Sequence, residues 1–419
     1  MAELETQNLT AAEQRVCALI EGRAGALLDD LRLHVGIPTG GRNTAALDET
    51  RERLTARLGA LGAKTELLPG DAAPDWLYGR DLDAPAPPTA VCERLRDRMP
   101  RVLIAGHLDT VHDPEGDFRE LTIAPDGKTA LGPGCVDMKG GLVIAVAALE
   151  CLEEAGIDCG WSFLLNSDEE TGSYHSDEAL ASAARAHDVG LALEPALPGG
   201  ELAVERAGSG QFCLRARGRA AHVGREFTKG ISAVTALAER LVRAAEIPDP
   251  ERGLILSIGP LQGGAATNAV PDLALAWGNV RYPDEAGAQE LIAAIDALGT
   301  AGDALPGVEV LRSFNRPAKP MTPGTEKLAL LARGAAESLG QRLPFAKTGG
   351  VCDGNQLQAV GLPTIDTLGV RGGGLHTPDE WIDLSSLAER CQLLAVLIAR
   401  LAAGAWGAAG ADESKTKVV

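Results

Sequence analysis

Short, uniformly apolar segments alternate with helical segments between residues 101 and 195, and no other feature constrains the fold as strongly. The apolar segments are RVLIAG, WSFLL and VGLALEP; between them lie GGLVIAVAALECLEEAG, which ends at a glycine, and a segment rich in serine and alanine. Strands that are apolar throughout are typical of parallel sheets buried on both faces. The pattern predicts an α/β fold with a mostly parallel sheet and helices on both of its faces.

A different pattern begins near residue 205. The segments QFCLRARGRA and LALAWGNVRY alternate apolar and polar residues, which is typical of half-exposed antiparallel strands. Helices are predicted near 231–246 and 284–298. We interpret residues 205–318 as an inserted α+β domain.

The first pattern returns after residue 318, with helical spacing at 325–339, the apolar run LPTIDTLGV and a last helix near 384–403. The α/β domain is therefore predicted to be discontinuous, formed by residues 1–204 and 319–404. The tail GAAGADESKTKVV, within residues 405–419, is predicted to be disordered.

The N-terminal part of the chain carries helical apolar spacing at 10–32 and 44–61, and TELLPG indicates the end of a strand. The proline-rich stretch 70–100 is predicted to be a surface excursion.

Composition excludes several classes of function. The 419 residues carry a formal net charge of −19, which argues against nucleic acid as a partner, because phosphate binding needs clustered lysine and arginine. No apolar run approaches 18 residues and the N-terminus is acidic and polar, so we expect no membrane segment and a cytoplasmic protein. The eight cysteines form no CxxC pair, which favours buried, reduced thiols.

Metal-ligating side chains follow the predicted core strands. RVLIA continues into Gly106-His107-Leu108-Asp109, WSFLLNS into Asp168-Glu169-Glu170, and VGLAL into Glu194. Open α/β sheets bind ligands at the carboxyl ends of their strands. Two carboxylates about 4 Å apart repel by roughly 4 kcal/mol at an effective dielectric constant near 20, so a partly buried acidic cluster needs a proton, a basic partner or a metal.

Two further candidates complete a metal-binding inventory. Asp137 lies in GPGCVDMKGG just before a helix, where Gly140 and Gly141 permit close backbone approach, and His376 follows the last apolar run in GGGLHTPDE. Two histidines, two terminal carboxylates and one bridging aspartate can hold two divalent ions and leave positions open for water and substrate.

Neighbouring residues have complementary predicted roles. Asp109, two residues from His107, is placed to accept the second ring N–H of that histidine and fix its tautomer. The side chains of Glu169 and Glu170 diverge along the backbone, so one can ligate metal while the other faces substrate as a general base.

Seven motifs in this order resemble a known family, the dinuclear zinc metallopeptidases that include glutamate carboxypeptidase, acetylornithine deacetylase, succinyl-diaminopimelate desuccinylase and the aminoacylases. The motifs are GHLDTV at 106–111, GPGCVDMKGG at 132–141, SDEETGS at 167–173, LEP at 193–195, RGRAAHVG at 217–224, TNAVPD at 267–272 and HTPDE at 376–380. LEP and RGRAAH favour the glutamate carboxypeptidase branch.

The resemblance implies two zinc ions per subunit, with Co²⁺ or Mn²⁺ as substitutes. One ion would be held by His107, Asp137 and Glu194, and the other by Asp137, Glu170 and His376. Glu169 would be the catalytic base.

The resemblance also implies that the insert is a lid and a homodimerisation domain. His222 would stabilise the oxyanion, reaching into the partner subunit's site. Asn268, Arg281 and Arg316 would hold the substrate carboxylate, for which the planar fork of arginine is suited.

Two cysteines depart from the family pattern. Cys135 and Cys352 occupy positions where small or hydroxyl residues are usual, so the hydrogen bonding around the site is expected to differ. His112 and His175 are candidate pocket residues without an assigned role.

The implied activity is hydrolysis of the amide bond to a C-terminal amino acid in a small peptide or N-acyl amino acid, by a water that two zinc ions activate. A deacylase without glutamate preference shares every catalytic residue, and a glutamate side-chain pocket would need a further basic group, for which Arg206 and Lys347 are candidates. Two more functions fit less well: a single-domain aminopeptidase, which the insert disfavours, and a catalytically silent metal-binding scaffold, which the full set of ligands disfavours.

Overall fold

The predicted alternation of strands and helices is present in the computed structural model of the protein, which describes residues 8–40, 43–79, 85–96, 100–302 and 304–408. The helices are α1 (Ala11–Gly22), α2 (Ala24–Val35), α3 (Thr44–Ala60), α4 (Lys139–Glu154), α5 (Asp177–Ala186), α6 (Val223–Glu226), α7 (Ala233–Ala244), α8 (Glu285–Asp296), α9 (Pro323–Ser338), α10 (Asp353–Ala359), α11 (Ser385–Ala402) and α12 (Ala405–Ala408). The strands are β1 (Lys64–Leu68), β2 (Thr89–Arg94), β3 (Val102–His107), β4 (Thr122–Ile123), β5 (Thr129–Leu131), β6 (Trp161–Asn166), β7 (Val189–Ala192), β8 (Leu202–Arg206), β9 (Gly208–Arg217), β10 (Ala221–His222), β11 (Ile255–Gly263), β12 (Ala269–Val270), β13 (Leu273–Tyr282), β14 (Gly307–Arg316), β15 (Phe345–Thr348), β16 (Thr364–Ile365), β17 (Gly372–Gly373) and β18 (Trp381–Asp383).

Six strands form the central sheet in the order β1-β2-β6-β3-β7-β16. The strands β6, β3, β7 and β16 are parallel to one another, whereas at one edge β2 pairs antiparallel with β6 and β1 pairs antiparallel with β2. The mostly parallel sheet predicted from the apolar runs is confirmed.

Helices cover both faces of this sheet. Ile104 and Phe163 point into a core shared with α1, α2, α4 and α11, while Leu103 and Leu164 point into a second core with α5 and α10. Alternate residues of one strand therefore lie in opposite cores, and this explains why the strands carry no polar alternation.

Capping side chains fix several helix starts close to the predicted positions. Thr10, Ser232, Asp284 and Thr322 each accept a hydrogen bond from the amide three residues later. The segment predicted as one helix at 10–32 is instead two helices that meet at Arg23, between Gly22 and Gly25, where helix propensity is low.

The predicted surface excursion at 70–100 is wrong in its second half. Residues 89–94 form strand β2, which pairs with both β1 and β6 and buries its first four residues. Neighbouring strands supply the burial, and the proline-rich sequence before Thr89 obscured this short strand.

A second sheet lies within the predicted insert. It has four antiparallel strands in the order β11-β13-β9-β14, and helices α7 and α8 pack on it around their own core. The boundaries at 205 and 318 stay a prediction. Of the predicted tail, residues 405–408 form α12, and 409–419 lie outside the described residues.

Among the described residues, no helix combines the length and the apolar character needed to cross a membrane.

Candidate active site

The carboxyl ends of three parallel strands bring predicted ligands to one edge of the central sheet. His107 is the last residue of β3, Glu169 and Glu170 follow β6, and Glu194 follows β7. Pairing of His107 with Asn166, and of Ala105 with Ala192, aligns these strand ends. The ends of the short apolar runs thus determine where the polar side chains lie at the edge of the sheet.

Asp137 reaches the same edge from the segment that precedes α4. A Cβ atom on Gly140 would lie 2.6 Å from the carbonyl oxygen of Cys135, and one on Gly141 would lie 2.5 Å from that of Leu193. Only glycine permits these approaches, so the expectation of close backbone packing at this pair is confirmed.

Four of the predicted ligands converge on a potential metal-binding cluster: His107, Asp137, Glu170 and His376. One ligand atom from each of His107, Asp137 and Glu170 lies within 4.8 Å of the others. His376 Nε2 lies 3.3 Å from Glu170 Oε2 and 3.5 Å from Asp137 Oδ2, while His107 Nε2 lies 3.3 Å from Asp137 Oδ1. Asp137 therefore stands between the two histidines.

Several buried atoms at this cluster have no hydrogen-bond partner among the described residues. They are His107 Nε2, Asp137 Oδ1 and Glu169 Oε1. Buried polar atoms are normally satisfied, and imidazole nitrogen with carboxylate oxygen is a donor set that suits zinc. The residues present therefore fit a divalent metal.

The electrostatics of the cluster indicate uncompensated negative charge. Burial raises the pKa of Glu194, and the charges of Asp137 and Glu169 raise it further. Burial also raises the pKa of Glu170, although His376 opposes this. Hydrogen bonding to Asp137 and Glu170 raises the pKa of His376. In each case the raised pKa means that the group holds a proton more tightly, and this proton supplies positive charge that the cluster lacks.

Asp109 links the first histidine to the two glutamates. The ring nitrogen Nδ1 of His107 lies 2.9 Å from the main-chain oxygen of Asp109 and 3.5 Å from its carboxylate. The carboxylate accepts hydrogen bonds from the amides of Glu169 and Glu170, at 3.2 and 2.9 Å. Asp109 thus contacts the ring nitrogen chiefly through its main-chain oxygen, whereas the sequence predicted a contact through its carboxylate.

The side chains of Glu169 and Glu170 diverge as expected. Glu170 faces His376, whereas Glu169 Oε1 lies 2.8 Å from Arg316 Nη2 without the alignment of a hydrogen bond. Arg316 Nη2 instead donates to the main-chain oxygen of Glu169 and to Ser173 Oγ. Burial raises the pKa of Glu169 to about 8, with Arg316 opposing the increase.

A cleft of about 520 Å³ connects the cluster to the second sheet. Glu170 lines it together with Arg281 and Arg316. These two arginines lie on β13 and β14, on either side of Ser209 in β9. Burial lowers the pKa of Arg281, and the nearby Arg316 charge lowers it further. In the described part of the chain, no carboxylate lies within ion-pair distance of Arg281.

An aromatic pair forms another part of the cleft. Tyr78 and Trp277 meet edge to face with ring centroids 5.2 Å apart, and the Trp277 indole donates to the main-chain oxygen of Trp76. The stretch around Trp76 is therefore tied to the second sheet beside the cleft.

His222 ends β10, and Asn268 immediately precedes β12, the strand that pairs with β10. The Val223 amide donates to the main-chain oxygen of Asn268, and the Gly224 amide donates to His222 Nδ1. Both side chains are exposed, and these two hydrogen bonds stay within the pair and the turn that follows it. The structure thus brings these two predicted residues together but places them at the surface of this chain.

The remaining sequence candidates have other surroundings. Arg206 pairs with Asp366, and Lys347 pairs with Glu205, so both basic groups already have an acidic partner. Cys135 and Cys352 are buried, and burial raises the pKa of both thiols, which disfavours a nucleophilic thiolate.

Two histidines without an assigned role bind neighbouring loops. His175 Nδ1 lies 2.7 Å from the main-chain oxygen of Asp71, and His112 Nε2 lies 2.5 Å from Glu380 Oε2. Sequence reasoning assigned no role to Glu380, although the motif HTPDE contains it.

A family model described as peptidase family M20/M25/M40 matches residues 103–400. The chain belongs to this family. Carboxypeptidase G2 of Pseudomonas sp. (strain RS-16) is 30% identical over 312 residues, which cover 72% of this chain and 74% of that one. Succinyl-diaminopimelate desuccinylase of Methylobacterium radiotolerans is 31% identical over 316 residues, covering 70% and 79%.

Solved structures support the M20 fold. A tripeptidase from Staphylococcus aureus superposes with a TM-score of 0.72 at 22% identity, covering 93% of this chain and 99% of that one. A dipeptidase from Saccharomyces cerevisiae gives 0.71 at 14% identity, covering 94% and 99%. This M20 chain is a hydrolase of the metallopeptidase and amidohydrolase class, and it contains a potential metal-binding cluster.

Proposed function

We propose that this M20 protein hydrolyses the amide bond between an acyl or peptidyl group and a C-terminal amino acid, with glutamate as the preferred leaving group. The observation that carries the proposal is the cleft that runs from Glu170 to Arg281 and Arg316. It places a basic wall beside the candidate metal cluster, where the free carboxylate of a substrate would bind.

His107, Asp137 and Glu194 would hold one zinc ion, and Asp137, Glu170 and His376 would hold the other. The three carboxylates of this set would then face four positive charges, which removes the repulsion within the cluster. Bound divalent ions supply Lewis-acid polarisation of the scissile carbonyl and lower the pKa of a water molecule.

Glu169 would transfer a proton from the attacking water to the leaving amine. Its carboxylate accepts a proton from the attacking water and delivers it to the nitrogen of the leaving amine as the C–N bond breaks. The Asp109 carboxylate holds the Glu169 amide, and Arg316 lies against the Glu169 carboxylate, so the base is oriented from two sides.

Arg281 is the better candidate for the substrate carboxylate. It lines the cleft without a carboxylate partner among the described residues, whereas Arg316 already lies beside Glu169. His222 and Asn268 would complete the site from the second subunit of a homodimer formed through the insert, because both are exposed in a single chain. The protein would act in the cytoplasm.

The name of one relative, carboxypeptidase G2, supports a C-terminal amino acid as the leaving group. A deacylase specific for another acyl amino acid is the second candidate, since desuccinylases are also among the relatives, and the same cluster residues would serve that reaction.

The test is amino acid release from a panel of N-acyl amino acids and dipeptides by zinc-reconstituted protein, with the Glu169→Ala variant as the blank. Preferential release of glutamate is the expected result. Release of other amino acids would move the protein to the deacylases. Complete silence with two zinc ions bound would overturn the catalytic assignment and favour a catalytically silent scaffold.

A further inference from the structure

A single buried carboxylate, that of Glu380, organises the segment that carries Asp137. Glu380 Oε2 accepts a hydrogen bond from the Gly134 amide at 2.9 Å, and Oε1 accepts from the amides of Val136 and Asp137 at 3.0 and 3.1 Å. His112 Nε2 approaches Oε2 at 2.5 Å. The side chain is 1% exposed, so these four contacts replace water.

The main chain of Glu380 reinforces the same connection. Its carbonyl oxygen accepts from the Gly132 amide at 3.1 Å, and its own amide donates to the Thr377 carbonyl at 3.2 Å. One residue therefore joins the loop that carries Asp137 to the loop that carries His376, although Asp137 lies 243 positions earlier in the chain.

This arrangement depends on a carboxylate. An ionised carboxylate accepts hydrogen bonds on both oxygens, whereas a glutamine amide has one accepting oxygen and an NH₂ group that would oppose backbone N–H donors. Glutamine at 380 would leave buried amides of the Asp137 segment without an acceptor, and the segment would shift to find other partners.

We propose that Glu380, supported by His112, is a positioning residue that holds Asp137 between His107 and His376 and thereby sets the affinity of the metal centre. This role rests on the proposed metal site. Glu380 binds no metal itself, because its oxygens are occupied by backbone amides and the His112 ring. His112, in turn, is held by an edge contact with Phe118 at 5.2 Å between ring centroids.

The test is a chelator competition that measures the zinc dissociation constant of the full-length protein and its Glu380→Gln variant. Loss of a residue that orients a ligand typically weakens metal affinity about 10- to 100-fold, and we expect a loss in that range. The absorption spectrum of the cobalt-loaded variant should also change, because the position of Asp137 changes. A purely structural residue would lower the melting temperature without altering that spectrum.

Asp383→Asn is the matched control. Asp383 lies three residues further on, at the end of β18, and pairs with Arg371 and Ser385, which belong to neither ligand loop. Its zinc affinity should stay within about twofold of wild type. If Glu380→Gln does not fold, His112→Phe keeps the ring packed against Phe118 and removes the contact to Glu380; a three- to tenfold loss is expected.

The outcomes separate the two levels of the proposal. If the wild-type protein binds zinc and the folded Glu380→Gln variant binds it with the same affinity, the role of Glu380 is overturned but the proposed metal site is not. The same conclusion follows from unchanged affinity in His112→Phe if only that variant folds. A wild-type protein that binds no zinc would overturn the proposed metal site and this role with it.

Discussion

Two clusters of buried charge lie at the carboxyl edge of the central sheet, and they are compensated in different ways. One follows β3, β6 and β7 and contains the candidate metal ligands. The other follows β16, where Asp366 lies 2.7 Å from Arg206 Nη2 and 3.2 Å from Lys319 Nζ. All three residues of this second cluster are buried.

The second cluster supplies its own cations. Burial alone would raise the pKa of Asp366, but the charges of Arg206 and Lys319 outweigh it and hold that pKa below its usual range. In the first cluster burial and neighbouring carboxylates raise the pKa of Glu194. A buried carboxylate that lacks a nearby cation from its own chain needs a proton or a cation from outside, and this difference distinguishes the candidate metal cluster from the structural one.

The position of the second cluster explains its structural role. Arg206 and Lys319 lie on the two chain segments that connect the central sheet with the four-stranded sheet, and each donates its amide to the main-chain oxygen of the other, at 2.9 and 3.0 Å. Asp366 therefore anchors both connections to the central sheet, whereas the first cluster faces the cleft.

Removal of Glu169, the proposed base beside the first cluster, should reduce activity the most. In Glu169→Ala we expect turnover to fall by about three powers of ten or more with zinc content unchanged, because the proposed role of Glu169 is to move a proton and not to bind metal. The measurements are kcat at saturating zinc and metal content by mass spectrometry. Glu178→Ala, on the exposed face of α5, is the control; activity of Glu169→Ala within tenfold of wild type would refute the assignment.

The next effect tests the second cluster. Asp366→Asn leaves two buried cations without a carboxylate, and we expect the free energy of unfolding to fall by about 3–5 kcal/mol in urea titrations. Zinc affinity should be unchanged. Glu205→Gln removes a carboxylate from the Lys347 pair, in which the lysine is exposed, and should cost less than about 1 kcal/mol. Equal losses in the two variants would contradict the distinction drawn between the clusters.

Removal of metal should lower the stability of the native state through the first cluster only. At free zinc 100-fold above the dissociation constant, each independent site stabilises the native state by about 2.7 kcal/mol, and a chelator should abolish this. Thermal unfolding with and without chelator measures the change, and Asp366→Asn should show the same increment as wild type. No shift in wild type would argue against a metal at the cluster.

The smallest effect concerns His34, a buried histidine that loses its proton at a lower pH than a free histidine. Burial lowers the pKa of His34 to about 4, although Asp30 at 3.6 Å opposes this. As the pH falls below about 6.5 the unfolded chain takes up the proton first, so stability is lost on acidification. Between pH 7 and pH 5 metal-free wild type should lose about 2 kcal/mol more than His34→Gln in urea titrations; parallel profiles would show that His34 is not the cause.

Local sequence patterns predicted the parts of the fold that depend on local spacing. The apolar runs before His107, Glu169 and Glu194 located strand ends to within a few residues, because a buried strand must stop where charged side chains begin. Strand β2 was missed, since its burial comes from pairing with β1 and β6 and not from its own short sequence.

Such local patterns could not predict the long-range contacts of the site. The approach of Arg316 to Glu169 spans 147 positions, and the bonds from Glu380 to the Asp137 segment span more than 240. A single sequence places these residues in motifs, but tertiary packing decides whether Arg316 faces substrate or Glu169.

Calorimetric titration of zinc into metal-free protein measures whether the acidic cluster binds metal. We predict two ions bound per wild-type chain, and impaired binding of both in Asp137→Ala, because Asp137 lies between His107 and His376. The absence of zinc uptake by folded wild-type protein, or full uptake by Asp137→Ala, would contradict the claim that this acidic cluster is completed by metal.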